Sequence, residues 1–273
     1  MKTQQIELEL HKVFKELIEV WAIQDVDENS IEKYSIKDNE KLKPSLNLSY
    51  FYQTHLLPQP WWGNIVDPNI IVLALNPSYD PINDGEDEKV IRESLIKNLK
   101  GHTFLNWFDY TSEKGKTDSS GFKFWKKSLG SLLEEGKNEE YILKNMGFFN
   151  FCGYHSNPFK SIPEKCFVED YKLLATQSKL VEYLNLLIEH ENPYVIVLWG
   201  YDYWKKAGLE VKQSKLVIVN KYKGRNHNIT NIYTHKESLR NIVDDCINNN
   251  NNNSDVSLRY QELYKSLKGI IQD

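Results

Sequence analysis

Asn76 closes an unbroken apolar run, Ile70-Ile71-Val72-Leu73-Ala74-Leu75, and leads into Pro77-Ser78-Tyr79. Asn150 stands inside a second run, Phe148-Phe149-Asn150-Phe151. An apolar run halted by a polar residue and a proline reads as a buried strand feeding a sharp loop. In open α/β sheets, ligands bind beyond the C-terminal ends of the strands. A carboxamide placed there can donate and accept hydrogen bonds, but it is no strong general base, so its chemistry is holding and orienting. A polar side chain within an apolar run must find a partner, which either backbone or a bound ligand could supply. Gly153-Tyr154-His155-Ser156-Asn157-Pro158-Phe159 follows the second run and is expected at the same edge, where His155 is either a structural residue or a contact to a base or a phosphate. Lys205, Lys206, Lys212, Lys215, Lys221, Lys223 and Arg225 face a single acid, Glu210, over the stretch 205–225. Such a run is either a solvated face or a surface that binds phosphates. Lys123, Lys126 and Lys127 form a smaller cluster.

Alternating elements must position these residues. Leu8, Leu10, Val13, Phe14, Leu17, Ile18 and Trp21 recur at helical spacing and predict an amphipathic helix over 6–23. Residues 24–47 are charged and aperiodic. Leu57-Pro58-Gln59-Pro60-Trp61-Trp62-Gly63-Asn64 reads as a rigid aromatic approach to the first strand. The polar stretch 79–121, with Asp84-Gly85 and Lys114-Gly115 as turn signals, reads as a long functional loop. Helices are expected over 122–133, 177–189, 201–207, from Thr234 to about Cys246, where Thr234 and Glu237 fit a capping box, and over about 257–271. Further strands are expected over 193–200, 216–219 and 229–233. The alternation predicts an α/β fold, a three-layer α/β/α sandwich around a central, mainly parallel sheet. One domain is expected over 1–273, with an N-terminal helical extension over about 1–45 and a C-terminal helix over about 255–273. The asparagine run 248–253 reads as a solvated loop.

Bulk properties narrow the function. The formal net charge is −4, so attraction to nucleic acid would be local rather than global. No apolar run approaches the roughly 20 residues of a membrane helix, and the N-terminus does not read as a signal peptide. A cytoplasmic protein acting as a monomer, with no membrane partner, is the expectation. Cys152, Cys166 and Cys246 are too few and too unevenly spaced for a disulfide framework, a four-cysteine zinc site or a four-cysteine iron–sulfur cluster. The chain holds no Gly-x-Gly-x-x-Gly loop and no Walker lysine motif, which speaks against dinucleotide and nucleoside-triphosphate chemistry.

Four segments, in order over about 57–240, resemble the uracil-DNA glycosylase superfamily. Leu57-Pro58 through Gly63 resembles the Pro/aromatic/Gly approach of bacterial members. Leu75-Asn76-Pro77-Ser78 resembles the Gly-x-Asn-Pro-Gly motif after the first strand. Gly121-Phe122-Lys123-Phe124-Trp125-Lys126 resembles the Asn-Arg-Phe-Trp helix start of the mismatch-specific branch. Val197-Leu198-Trp199-Gly200, with Lys205-Lys206-Ala207-Gly208, resembles the Leu-Leu-Trp-Gly strand and its following helix.

The resemblance implies a DNA glycosylase that hydrolyses the N-glycosidic bond of uracil or a modified pyrimidine in DNA, needs neither metal nor cofactor, and leaves an abasic site. It implies that Asn76 positions the attacking water, with Asp80 close by, and that a slower enzyme results than in the Asp-containing branch. It implies that Asn150 reads the flipped base and that Phe104 stacks on it, with Trp107 and Phe108 as rivals. The His-Pro-Ser motif of the family is missing; His235 or His227 would take the role of stabilising the leaving base. Ser78 stands where the Asp-containing branch has a tyrosine that screens out 5-substituted bases, so a 5-substituted pyrimidine is expected to fit unless Tyr79 replaces that screen. Lys221, Lys223 and Arg225 would contact the DNA backbone. Base-excision repair and defence against foreign DNA carrying modified bases are both open. The alternatives are a non-catalytic nucleic-acid-binding member of the same fold and an unrelated small-molecule nucleosidase.

Overall fold

The computed structural model describes residues 2–25, 27, 28, 31, 52–79, 84–99, 144–156, 173–198 and 200–218. The predicted first helix forms as α1, Lys2–Ala22. Its buried residues Leu10, Val13, Phe14, Leu17 and Trp21 follow the 3.6-residue period and form one stripe. That stripe packs on α3, Ala175–Glu191, through Leu180, Val181, Leu184 and Leu187. Phe14 and Tyr183 touch with ring centroids 5.2 Å apart, and the Lys179 ammonium bridges Glu16 and Glu182, at 2.7 Å from each. At the start of α3, the Gln177 side chain accepts from the Leu174 N–H, and Asp27 meets the Thr176 hydroxyl. The helix ends at Asn192, whose left-handed backbone lets its N–H reach the Ile188 carbonyl.

The helices cover a five-stranded mixed sheet: β1 Trp61–Gly63, β2 Ile70–Ala74, β3 Met146–Asn150, β4 Tyr194–Val197 and β5 Leu216–Ile218. The spatial order is β1-β3-β2-β4-β5. β3, β2, β4 and β5 run parallel, and β1 pairs antiparallel with β3. All five residues of β2 are buried, as a strand covered on both faces must be. Ile71, Leu73, Val195, Val197 and Phe149 meet α1 and α3 in one core cluster, while Val72, Phe148, Ile196 and Trp62 are buried on the opposite face. The mainly parallel α/β expectation therefore stands for the described residues.

Two elements differ from the sequence expectation. The stretch read as a loop contains α2, Asp84–Leu99. Its weak amphipathic pattern hid it, yet Glu, Lys, Arg and Leu are good helix formers, and Glu93 pairs with Lys97 one turn on. Trp61-Trp62-Gly63, read as an approach, is itself strand β1; Trp62 pairs with Phe148, and their rings stack at 3.7 Å. The link from β1 to β2 turns on Asn64, fully buried. Its Oδ1 accepts from the Val66 and Asp67 N–H groups, and its Nδ2 donates to the Lys144 carbonyl at 2.7 Å.

The predicted helices over 122–133, 234–246 and 257–271, the strand over 229–233 and the asparagine run lie outside the described residues. Among the described residues, no helix is long and apolar enough to cross a membrane.

Candidate functional site at the C-terminal edge of the sheet

Numbered by appearance, the four parallel strands lie in the order 2-1-3-4. From β2 the chain goes first to β3 on one side and then to β4 on the other. The switch falls between β2 and β4, and such a point leaves a crevice outside the carboxyl ends of the strands. The loops leaving β2 and β3 carry both asparagines to this edge.

Those two loops are zipped together beyond the sheet. Ala74 stands opposite Asn150 in register. The Phe151 N–H donates to the Ala74 carbonyl at 3.0 Å, the Cys152 N–H to Leu75 at 2.7 Å, and the Ser156 N–H to Pro77 at 3.1 Å. The Asn76 Nδ2 faces the Pro77 carbonyl at 2.7 Å, the Ser156 carbonyl at 2.8 Å and the Ser156 Oγ at 2.9 Å. Two of these are carbonyls, which only accept, so the nitrogen and not the oxygen of the carboxamide must sit there. Oδ1 is thereby turned away, and it has no donor among the described residues.

Asn150 repeats this arrangement one strand over. Its Nδ2 donates to the Gln59 carbonyl at 2.7 Å, and its backbone N–H to Pro60 at 2.8 Å. Its Oδ1 likewise has no donor among the described residues. Asn150 is 7% exposed, so the buried amide that the sequence demanded a partner for finds one in backbone and keeps one acceptor open. The Pro-rich segment before β1 is what holds it: the Gln59 N–H donates in turn to the Gly153 carbonyl at 2.8 Å.

His155 lies between the loops, 6% exposed. Its Nδ1 is 2.9 Å from the Ser78 carbonyl. A carbonyl can only accept, so Nδ1 carries the proton of that bond. The main chain of His155 is pinned by the Gln53 N–H, which donates to the His155 carbonyl at 2.8 Å. Ser78 and Tyr79, half-buried, complete the loop after Asn76.

From the other side of the switch, the chain after β4 enters α4, Tyr201–Lys206, through Gly200, whose φ is 67°; a Cβ there would stand 2.2 Å from Leu75 Cδ2. Only glycine lets the β4 loop close on the residue that precedes Asn76. Phe151 packs edge-on against Trp204 at 5.0 Å and reaches Tyr203 at 6.2 Å.

The charged groups sort by position. Lys205 and Lys206 are exposed on α4, Tyr201–Lys206, just past this edge. Lys212 and Lys215 are not near it. Lys212 bonds Asn192 at 3.3 Å, and the Lys215 ammonium sits 3.9 Å from the ring centroid of Tyr194, the first residue of β4. Parallel pairing of β4 with β5 forces the chain back to the N-terminal edge before β5 begins, which carries half the described cations of the basic run away from Asn76.

Burial pushes the Cys152 thiol up to about 12, so this cysteine is protonated and no nucleophile despite its place beside the site. Among the described residues no group of three or more His, Cys, Asp or Glu could hold a metal ion.

The structure thus brings Asn76, Ser78, Tyr79 and Asn150 to one edge. Phe104, Trp107, Phe108, Asp80, His227, His235, Lys221, Lys223 and Arg225 lie outside the described residues. Two residues at the site went unread in the sequence: Ser156 and Gln59. The signal for Ser156 was the second Asn-Pro of the site's two segments, at 157–158, directly after it in the sequence. Nothing in the sequence marks Gln59, which acts through its main chain.

No family model matches the chain, and no curated protein or solved structure matches it.

Proposed function

We propose that the chain is a DNA glycosylase, in line with its resemblance to the uracil-DNA glycosylase superfamily, and that it folds as a three-layer sandwich of that kind. One observation carries the reading: at the C-terminal edge of the sheet, two carboxamides, one on the loop after β2 and one at the end of β3, have their nitrogens tied to backbone carbonyls and their oxygens left as acceptors. An acceptor at Asn76 suits a water that must be held by its hydrogen and aimed with its lone pair. The acceptor of Asn150, with the second hydrogen of its Nδ2, suits the edge of a base that has been turned out of the helix.

In the proposed reaction the water oxygen bonds to the sugar C1′ as the C1′–N bond breaks. The bonding pair leaves with the base, and the water proton reaches the base through solvent. Positive charge grows on the sugar and negative charge on the base, so fixed dipoles supply the catalysis. Ser78, smaller than a tyrosine, leaves room for a pyrimidine with a group at C5.

The test is alkali-dependent strand cleavage of labelled DNA holding one defined base. Uracil, hypoxanthine, 5-hydroxymethyluracil, 5-hydroxymethylcytosine and its glucosylated form make the panel. Cleavage of at least one, lost in Asn76→Ala, supports the reading. The second reading, a non-catalytic nucleic-acid binder, draws on the same three contacts to the Asn76 nitrogen, which are also those of a loop cap. Salt-dependent DNA binding with silence across the panel would favour it.

A further inference from the structure

We infer that His155 is a positioning residue: through Nδ1 it fixes the Ser78 carbonyl, and so holds the Asn76–Tyr79 loop in its working shape. The inference rests on the glycosylase reading and deepens it, because the missing His-Pro-Ser leaves the role of every histidine open. His155 is the one histidine that the described residues place at the site edge. Its position suggests a group that protonates or polarises the leaving base. Its hydrogen bonding argues for a different task.

A leaving base gathers negative charge and needs donors aimed at it. With the proton of Nδ1 committed to the Ser78 carbonyl at 2.9 Å, that proton cannot also be aimed at the base, and a ring with this one proton presents a lone pair at Nε2. The residue is also held by its neighbours. It is 6% exposed, and its main chain is bonded to Gln53 on one side while the next residue bonds Pro77 and Asn76 on the other. The contacts form a sequence: His155 side chain to Ser78, Ser156 N–H to Pro77, Ser156 carbonyl and Oγ to Asn76. Each residue of the loop after β2, from 76 to 78, is held by one of two consecutive residues after β3. Removing the His155 anchor takes one hold from the Ser78 carbonyl and lets the Asn76 carboxamide shift from the line of attack.

The two ring nitrogens can be tested apart. An asparagine places its Nδ2 close to where a histidine has Nδ1, and a glutamine places its Nε2 close to where a histidine has Nε2. On whichever base of the panel the wild type cleaves, His155→Asn keeps kcat within about threefold, while His155→Gln and His155→Ala lose about 10- to 100-fold in kcat with little change in KM. The pH profiles of wild type and His155→Asn have the same shape, because the ring carries no proton of the reaction. Folding of each variant is checked by urea midpoint. A wild-type ring found by ¹⁵N NMR with its proton on Nδ1 supports the inference without any variant; a proton on Nε2 alone overturns it. A His155→Gln enzyme as fast as wild type, or a folded His155→Asn enzyme as slow as His155→Ala, overturns the inference and leaves the glycosylase reading intact. Silence of the wild type on the whole panel removes the glycosylase reading, and the positioning role with it.

Discussion

Replacing Asn76 by aspartate exchanges an NH2 group for an oxygen at a position surrounded by acceptors. The wild-type nitrogen meets the Pro77 carbonyl at 2.7 Å, the Ser156 carbonyl at 2.8 Å and the Ser156 Oγ at 2.9 Å. An amide nitrogen has two hydrogens, so two good bonds are lost, at about 1 kcal/mol each. The abandoned carbonyls then face an anion in a half-buried loop, which raises the total to about 2–4 kcal/mol at neutral pH. For a domain of this size the melting temperature falls by about 5–15 °C. Protonation returns one donor. The folded carboxyl of the variant is therefore held above its ordinary value, because its protonated form regains a bond that the anion cannot make. A carboxyl with a raised folded pKa favours the folded state below its unfolded pKa and loses that benefit as pH climbs through the folded pKa. The deficit of the variant against wild type is thus largest at pH 7.5 and shrinks on acidification toward pH 4. Urea unfolding of both proteins at pH 7.5, 5.5 and 4 reads this directly. A variant as stable as wild type at pH 7.5, or one whose deficit grows on acidification, would refute the assigned orientation of the carboxamide.

Gly200→Ala forces a left-handed residue to carry a Cβ and drives that Cβ into Leu75. The expected loss is about 2–4 kcal/mol by chemical unfolding, and the part due to collision is relieved in a Leu75→Ala background. Asp27 is buried against the start of α3, and burial raises its pKa despite the bond from Thr176. The contribution of Asp27 to wild-type stability therefore declines as pH rises from the unfolded value, 3.8, through the raised folded value, and Asp27→Asn removes that component of the slope. Unfolding free energies of both proteins between pH 3.5 and pH 7 check it.

β2, β3 and β4 were legible because each is buried on both faces and so reads as an apolar run. Ile70–Ala74, Met146–Asn150 and Tyr194–Val197 all fall within the stretches that hydrophobicity picks out. The stripe of α1 was legible for the corresponding reason at helical period. β1 was not, since three residues, Trp61–Gly63, are too few to show alternation. α2 was not, because Asp84-Gly85 signals a turn and the charged residues after it blur the apolar period, although their helix propensity is high. At the site, sequence singled out Asn76 and Asn150 because an amide beside an apolar run stands out. It could not show which atom of each amide is open, since that depends on carbonyls of Ser156 and Gln59, residues 80 and 91 positions away. Nor could it separate Lys205 and Lys206 from Lys212 and Lys215, which a crossing of the sheet sends to opposite edges.

The most direct test follows the oxygen. A single-turnover reaction in ¹⁸O-labelled water, on DNA holding the base cleaved fastest, is read by mass spectrometry of both products. A glycosylase working through Asn76 and Asn150 releases an unlabelled free base and places one ¹⁸O on the sugar of the abasic site. Folded Asn76→Ala and Asn150→Ala proteins release base far more slowly. A wild-type protein that binds the DNA and frees no base, or variants that free it as fast as wild type, would contradict the assignment of catalysis to this edge.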